Sequence, residues 1–298
     1  MKTPEDTKSA MNQDSAIILR PLSASLGVEV LDMDLHLPVS PAMVCALSAA
    51  LDEHTILLFR DQNIDEQDQL GLADAFGGQA LRSRPDHKRT EDNAYAEKIG
   101  LVTNIRKNGK PIGSLPDGEL WFHHDGCFVD LPYRATLLYA VEVPNKGGNT
   151  RFANMYRAYD NLSDDLKQEL KGRTCLNIFD HGSTASPADP DQDLSVVRHA
   201  RHPVFVRHPN NCRAALYVNP LLSARIEGIP REESDQILTE LCKYTENEKI
   251  IYEHVWRSGD LLIWDNWGSS HARTVFPGDQ VRLMRRSIVK GQSLEAAL

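Results

Sequence analysis

Short apolar runs bounded by charged residues and turn formers recur along the chain, and most have the length and composition of strands. AIILRPL (residues 16–22) and LGVEVLDMDL (26–35), separated by a Ser-rich turn, predict a pair of strands. TILLFRD (55–61) predicts a buried strand, and RATLLYAVEVP (134–144) another that ends in the turn from Asn145 to Asn149. Strand-like runs continue between Arg198 and Val218 around a His-Pro-Asn-Asn turn, then in HVWRSG (254–259), DLLIWDN (260–266) and VRLMRRSIVKG (281–291). Helical spacing interrupts this pattern in a few places. VSPAMVCALSAALDEH (39–54) has Ser40 before Pro41 as a start signal, with Val44, Leu47, Ala50 and Leu51 along one side. IDEQDQLGLADAFG (64–77) is an acid-led helix stopped by Gly77 and Gly78. YRAYDNLSDDLKQELKG (156–172) and PREESDQILTELCKYTEN (230–247) complete the set. Strands with a few helices between them predict a β-rich α+β domain over residues 16–298, a sandwich or barrel with helices packed outside. Residues 1–15 carry little apolar content and predict a mobile tail.

Charge and cysteine usage narrow the partners. With 42 acidic and 33 basic residues, the net charge of -9 argues against nucleic acid, and no run approaches a membrane span. The five cysteines form no C-x-x-C pair, so neither a disulfide framework nor a cysteine zinc site is predicted. A reducing, cytoplasmic setting and a small-molecule partner are expected. The segment from Leu81 to Glu119 is polar apart from KIGLVTNI; with Arg82, Arg84, His87 and Lys88 it is either a lid over a site or a solvated loop.

Candidate chemistry centres on LWFHHDGCF (120–128). If this stretch is a strand, His123 and Asp125 share a face while His124 points away. An imidazole beside a carboxylate supplies two of the three ligands of a two-His-one-carboxylate iron site. The third candidate is His271, set among small residues after DLLIWDN. Alone, each has a plainer account: a surface pair or a hydrogen-bonded core histidine. In VRLMRRSIV, Arg282, Met284, Arg286 and Ile288 would line one strand face, the two guanidiniums roughly 13 Å apart at about 3.3 Å per residue. On a buried face each needs an anion, and a planar fork suits carboxylates; on an exposed edge strand they would only confer solubility.

In this order, H-x-D at 123–125, G-G-x-T at 147–150, W-D-N at 264–266 followed by His271, and arginines eleven and fifteen residues beyond it resemble the taurine dioxygenase/2,4-dichlorophenoxyacetate dioxygenase family. The resemblance runs from about Ile17 to Lys290. It implies a double-stranded β-helix, or jelly roll, and an oxygenase that uses iron(II), 2-oxoglutarate and dioxygen. By position, it implies that His123, Asp125 and His271 ligate iron, and that Thr150 and Arg282 hold the far carboxylate of 2-oxoglutarate. Arg286 would lie near the anionic group of the substrate and the metal-binding end of the cosubstrate, with Tyr217 as an aromatic wall of the substrate pocket. The family allows several oligomeric states, so a homo-oligomer is compatible with it. One departure is Phe122, which stands between Trp121 and His123 where many members place Trp directly before the metal histidine. Two other classes share part of the pattern: a zinc hydrolase using the same three ligands, and a catalytically silent jelly-roll binding protein.

Overall fold

Strand Ile56–Phe59 is buried at every position, because alternate side chains serve two different cores. In the computed structural model, which describes residues 16–81, 96–115, 118–179 and 184–298, it lies in a seven-stranded sheet. The strand order there is Ile18–Pro21, Val28–Leu31, Ile56–Phe59, Leu261–Asp265, Ala135–Glu142, Leu283–Val289 and Gly100–Thr103. Leu57, Phe59, Leu137, Tyr139, Leu261 and Ile263 face one way and pack with Leu47 and Leu51 of helix Pro41–His54 and Leu72 of helix Glu66–Ala75. Ile56, Leu58, Leu138, Leu262 and Trp264 face the other way and meet Phe152 and Trp256. Each fully buried Leu, Ile or Phe contributes roughly 1.5–3 kcal/mol, and the near-continuous apolar runs follow from having two faces to bury.

The second sheet has the order Ile251–His254, Thr150–Asn154, Ser269–Arg273 and Leu120–His123. Packed face to face with the first sheet, whose far side is covered by helices Pro41–His54 and Glu66–Ala75, it gives the expected jelly-roll sandwich. Two three-stranded sheets extend it, one built on Thr174–Phe179 and one on Phe205–Arg207.

Helix starts follow local chemistry. The Ser40 side chain accepts from Met43 N, and Asp65 forms a reciprocal capping box with Asp68. The helix expected over 156–172 is instead two, Met155–Asp160 and Asp164–Glu169. Ser163 accepts from Leu166 N and starts a new helix, with Asp164 and Asp165 in its first turn. HVWRSG is also displaced: the strand is Ile251–His254, and the chain leaves the ladder after His254. KIGLVTNI forms the sheet-edge strand Gly100–Thr103. The expected tail (1–15) and the lid residues Arg82, Arg84, His87 and Lys88 lie outside the described residues.

A buried ionic knot fastens the seven-stranded sheet to helix Pro41–His54 and to the turn after strand Phe205–Arg207. The Arg134 guanidinium pairs with both Asp265 and Asp52, and His208 Nε2 lies 2.8 Å from Asp265 Oδ2. Backbone N–H groups of Asn210 and Asn211 both donate to His208 Nδ1, which fixes the ring proton on Nε2, facing the carboxylate. Burial opposes ionisation of Asp265, but Arg134 and His208 outweigh it and hold the carboxyl well below the usual carboxylate range. Removing one partner of such a pair strands the other charge. Arg134→Met is therefore expected to cost about 3–5 kcal/mol, read as a lower urea midpoint. A carboxyl depressed in the folded state contributes stability above its unfolded pKa of about 4 and loses it as pH falls. The variant should accordingly show a flatter acid limb than the wild type.

Candidate active site

Strands Leu120–His123 and Ser269–Arg273 pair antiparallel, and their register sets His271 directly opposite His123. The two imidazole centroids are 4.1 Å apart. Asp125 does not share their strand, as the H-x-D pattern had suggested: the strand ends at His123 and the chain turns. Gly126, at φ +77°, makes that turn, and a Cβ there would fall 2.5 Å from Tyr133 Cδ2. The turn carries the carboxylate back toward the rings, with Oδ1 3.7 Å from His123 Nε2 and Oδ2 3.8 Å from His271 Nε2. One ligand atom from each residue lies within 4.8 Å of the others, so the three can hold one metal ion.

The electrostatics suit that task. His123 Nδ1 donates to the Trp121 carbonyl at 2.9 Å, which leaves the Nε2 lone pair directed at the site. Burial lowers the pKa of both His123 and His271, so both imidazoles are neutral and able to ligate. Burial alone would raise the Asp125 carboxyl, but the Arg286 guanidinium, with the Thr136 hydroxyl, holds it well below the ordinary range. Arg286 Nη2 is 2.7 Å from Asp125 Oδ2, and the Thr136 hydroxyl meets the same oxygen at 2.7 Å. Two neutral imidazoles and a carboxylate form the donor set of open non-haem iron sites. His124 turns away as expected; its ring tilts against Tyr217 at 4.5 Å, and burial pushes its pKa down to about 3.

These residues line a cavity of about 200 Å³, which also admits Thr150, Arg282 and Arg286. The strand Leu283–Val289 is internal, between Ala135–Glu142 and Gly100–Thr103, so the edge-strand account of its arginines does not hold. Arg282 is only 2% exposed. Its Nε donates to Gly148 O at 3.2 Å, while its Nη1 is buried without a partner. Gly148, at φ +67°, permits that approach, since a Cβ there would come within 3.2 Å of the guanidinium Nε. Burial and neighbouring Arg273 push the Arg282 pKa down to about 9, the mark of a cation in need of an anion. Thr150 Oγ1 accepts from Trp256 Nε1 at 3.0 Å, which leaves the hydroxyl proton available to a ligand. A buried cationic fork with an unpaired arm beside a hydroxyl donor fits a carboxylate.

Tyr217 is not brought into this cavity. It follows strand Ala214–Leu216, is fully buried behind His124, and stacks edge-on with His202 at 5.8 Å. The apolar wall comes instead from Phe128, Phe179, Leu221 and Leu222. Phe128 and Phe179 stack at 4.2 Å with an interplanar angle of 14°. Arg273 also lines the cavity and had not been anticipated, although its place two residues beyond His271 on one strand was a usable signal. Trp264 packs its ring 4.8 Å from His271, and the intervening Phe122 lies under Arg151 while Trp121 turns toward Glu119. Among the described residues, a second cluster of metal-ligating groups, Asp52, His208 and Asp265, has both carboxylates already paired with Arg134. No described helix is long and apolar enough to cross a membrane.

Known proteins are similar to this chain. Pentalenolactone F synthase of Streptomyces avermitilis is 30% identical over 91% of this chain and 93% of its own. The alpha-ketoglutarate-dependent 2,4-dichlorophenoxyacetate dioxygenase of Cupriavidus pinatubonensis is 29% identical over 84% of this chain and 90% of its own. The crystal structure of AAD-2 in complex with Mn(II) and N-oxalylglycine matches with a TM-score of 0.79 at 27% identity, covering 95% of this chain and 99% of that one. The family model for the taurine catabolism dioxygenases, TauD and TfdA, matches residues 19–288. With that match across most of its length, the chain belongs to the TauD/TfdA dioxygenase family.

Proposed function

We propose that this enzyme hydroxylates a small organic substrate that joins an anionic group, carboxylate or sulfonate in kind, to an apolar body. The observation that carries the proposal is the convergence of His123, Asp125, His271 and the unpaired Arg282 on one cavity. His123, Asp125 and His271 would hold iron(II) and leave the other half of its coordination sphere open. Arg282 and Thr150 would grip the far carboxylate of 2-oxoglutarate and fix its orientation before reaction. When bound, iron(II), 2-oxoglutarate and dioxygen together supply the oxidation, with succinate and carbon dioxide released and an alcohol left on the substrate. Where the hydroxylated carbon also bears oxygen, sulfur or nitrogen, collapse of the product cleaves that bond.

Arg286 is the residue best placed for the substrate's anion. Its side chain is 27% exposed at the cavity, and its pairing with Asp125 anchors it beside the metal ligands. Phe128, Phe179, Leu221 and Leu222 exclude water from the remainder and favour an apolar body. The chain's similarity to a 2,4-dichlorophenoxyacetate dioxygenase, whose substrate combines an anion with an apolar ring, supports the assignment.

Oxygen consumption and succinate release, measured across a panel of anionic compounds and their neutral esters and followed by mass spectrometry, test it. Arg286→Ala should lower kcat/KM for the anions by about 2 kcal/mol, roughly thirtyfold, and for neutral esters much less. Equal losses for both would assign Arg286 to the metal site alone. Anaerobic addition of iron(II) and 2-oxoglutarate should give the weak visible band of the chelate. A zinc hydrolase would give none and would turn over without the oxo acid.

A further inference from the structure

Thr136 is the second residue of strand Ala135–Glu142 and has no exposed surface, in a run whose neighbours are aliphatic. Its hydroxyl is engaged on both sides. Asn266 Nδ2 lies 3.0 Å from Oγ1, and Oγ1 lies 2.7 Å from Asp125 Oδ2. The ionised carboxylate that pairs with Arg286 can only accept, so Thr136 must donate to it. Having spent its single proton there, Thr136 accepts from the Asn266 amide, which fixes the orientation of that amide too. Asn266 is itself fully buried, and its backbone N–H donates to Arg134 O at 3.1 Å. A directed chain of hydrogen bonds therefore runs from the turn after strand Leu261–Asp265 through Thr136 to one oxygen of Asp125.

Asp125 needs such support. It sits in a turn beyond the end of its strand, so the sheet ladder does not set its side-chain torsions. Resting on the reading of His123, Asp125 and His271 as metal ligands, we infer that Thr136 is a positioning residue. It clamps Oδ2 so that the carboxylate keeps Oδ1 turned toward His123 and the metal. Arg286 touches the same oxygen, but its partly exposed guanidinium is also the group offered to small anions, whereas the buried threonine gives its one proton to Asp125 and is held in place by the Asn266 amide. The W-D-N segment thereby has three separate tasks. Trp264 packs against His271, Asp265 anchors Arg134, and Asn266 orients the clamp.

The test is titration of metal-free protein with Mn(II) alone, followed by electron paramagnetic resonance, on folded samples well below their melting temperatures. Thr136→Val keeps the shape and removes the donor. Thr136→Ala cannot overfill the site and serves if the valine variant folds poorly. Both should weaken Mn(II) binding about tenfold or more, as loss of a group orienting a ligand does. Thr136→Ser, which restores the hydroxyl, should bind close to wild type. A purely structural threonine would lower the melting temperature of the variants and leave the Mn(II) affinity of the folded protein unchanged, and that result would overturn the inference while leaving the metal site intact. If wild-type protein bound no Mn(II), the metal assignment itself would fall.

Discussion

His271→Gln is expected to reduce succinate release by at least about a thousandfold, because the residues of one catalytic unit fail together when any member is lost. The amide roughly keeps the volume that packs against Trp264 and Phe152, at 4.8 and 6.1 Å from the ring, so little cavity is created. The strand itself is held by main-chain pairing on both sides, to Thr150–Asn154 and to Leu120–His123, and neither ladder uses the imidazole. The melting temperature of the metal-free variant should therefore stay near that of wild type, while iron retained after loading and desalting falls far below one equivalent. A variant that kept full iron and full turnover would remove residue 271 from the site. One that lost both stability and metal would point to packing, and the two measurements separate these cases.

Arg282→Met should raise the KM for 2-oxoglutarate about a hundredfold with a smaller change in kcat. The wild-type guanidinium is almost completely buried, and one of its nitrogens has no partner among the described residues. A ligand carboxylate that fills that position exchanges an expensive unpaired cation for a desolvated ion pair. Truncating one member of such a pair costs about 3 kcal/mol, equivalent to roughly a hundredfold in affinity. The metal-free variant should be at least as stable as wild type, since an aliphatic chain replaces a buried charge with no ion-pair partner among the described residues. Melting curves with and without 2-oxoglutarate read both effects at once: the ligand-induced rise in melting temperature should shrink while the baseline does not fall. Lysine at this position keeps charge but not the fork, and should recover only part of the affinity.

How far the sequence discloses these parts depends on how local their causes are. Helix Pro41–His54 was legible because its cap, Ser40–Pro41, and its buried spacing lie within the segment. Strands Ile56–Phe59 and Leu261–Asp265 were legible because burial on both faces leaves an unbroken apolar run. Strand Ser269–Arg273 was not, since SSHAR carries no β-branched or apolar signal and owes its extended form to the two strands that flank it. The break at Ser163 has a local cause, a capping serine followed by two acids, that the helical spacing on either side masked, while the turn at Gly126 took Asp125 off a strand that had already ended. At the site, the proposed ligand residues stand out as a set only through their order and spacing. Arg273 belongs to no motif of its own and is marked only by its place two residues beyond His271, and Tyr217 packs on His124 outside the cavity lining because that ring turns away from the site.

The pairing of His123 with His271 has a consequence for biosynthesis. The two are separated by nearly half the chain, and strand Leu261–Asp265 must insert between Ile56–Phe59 and Ala135–Glu142 before the first sheet is continuous. A ribosome-bound chain consequently has no complete metal pocket until Arg273 has cleared the exit tunnel, however early the N-terminal helices form. Such late closure slows folding by making its decisive contacts long-range. It also keeps a redox-active ion out of the half-made polypeptide, so that loading with iron follows synthesis.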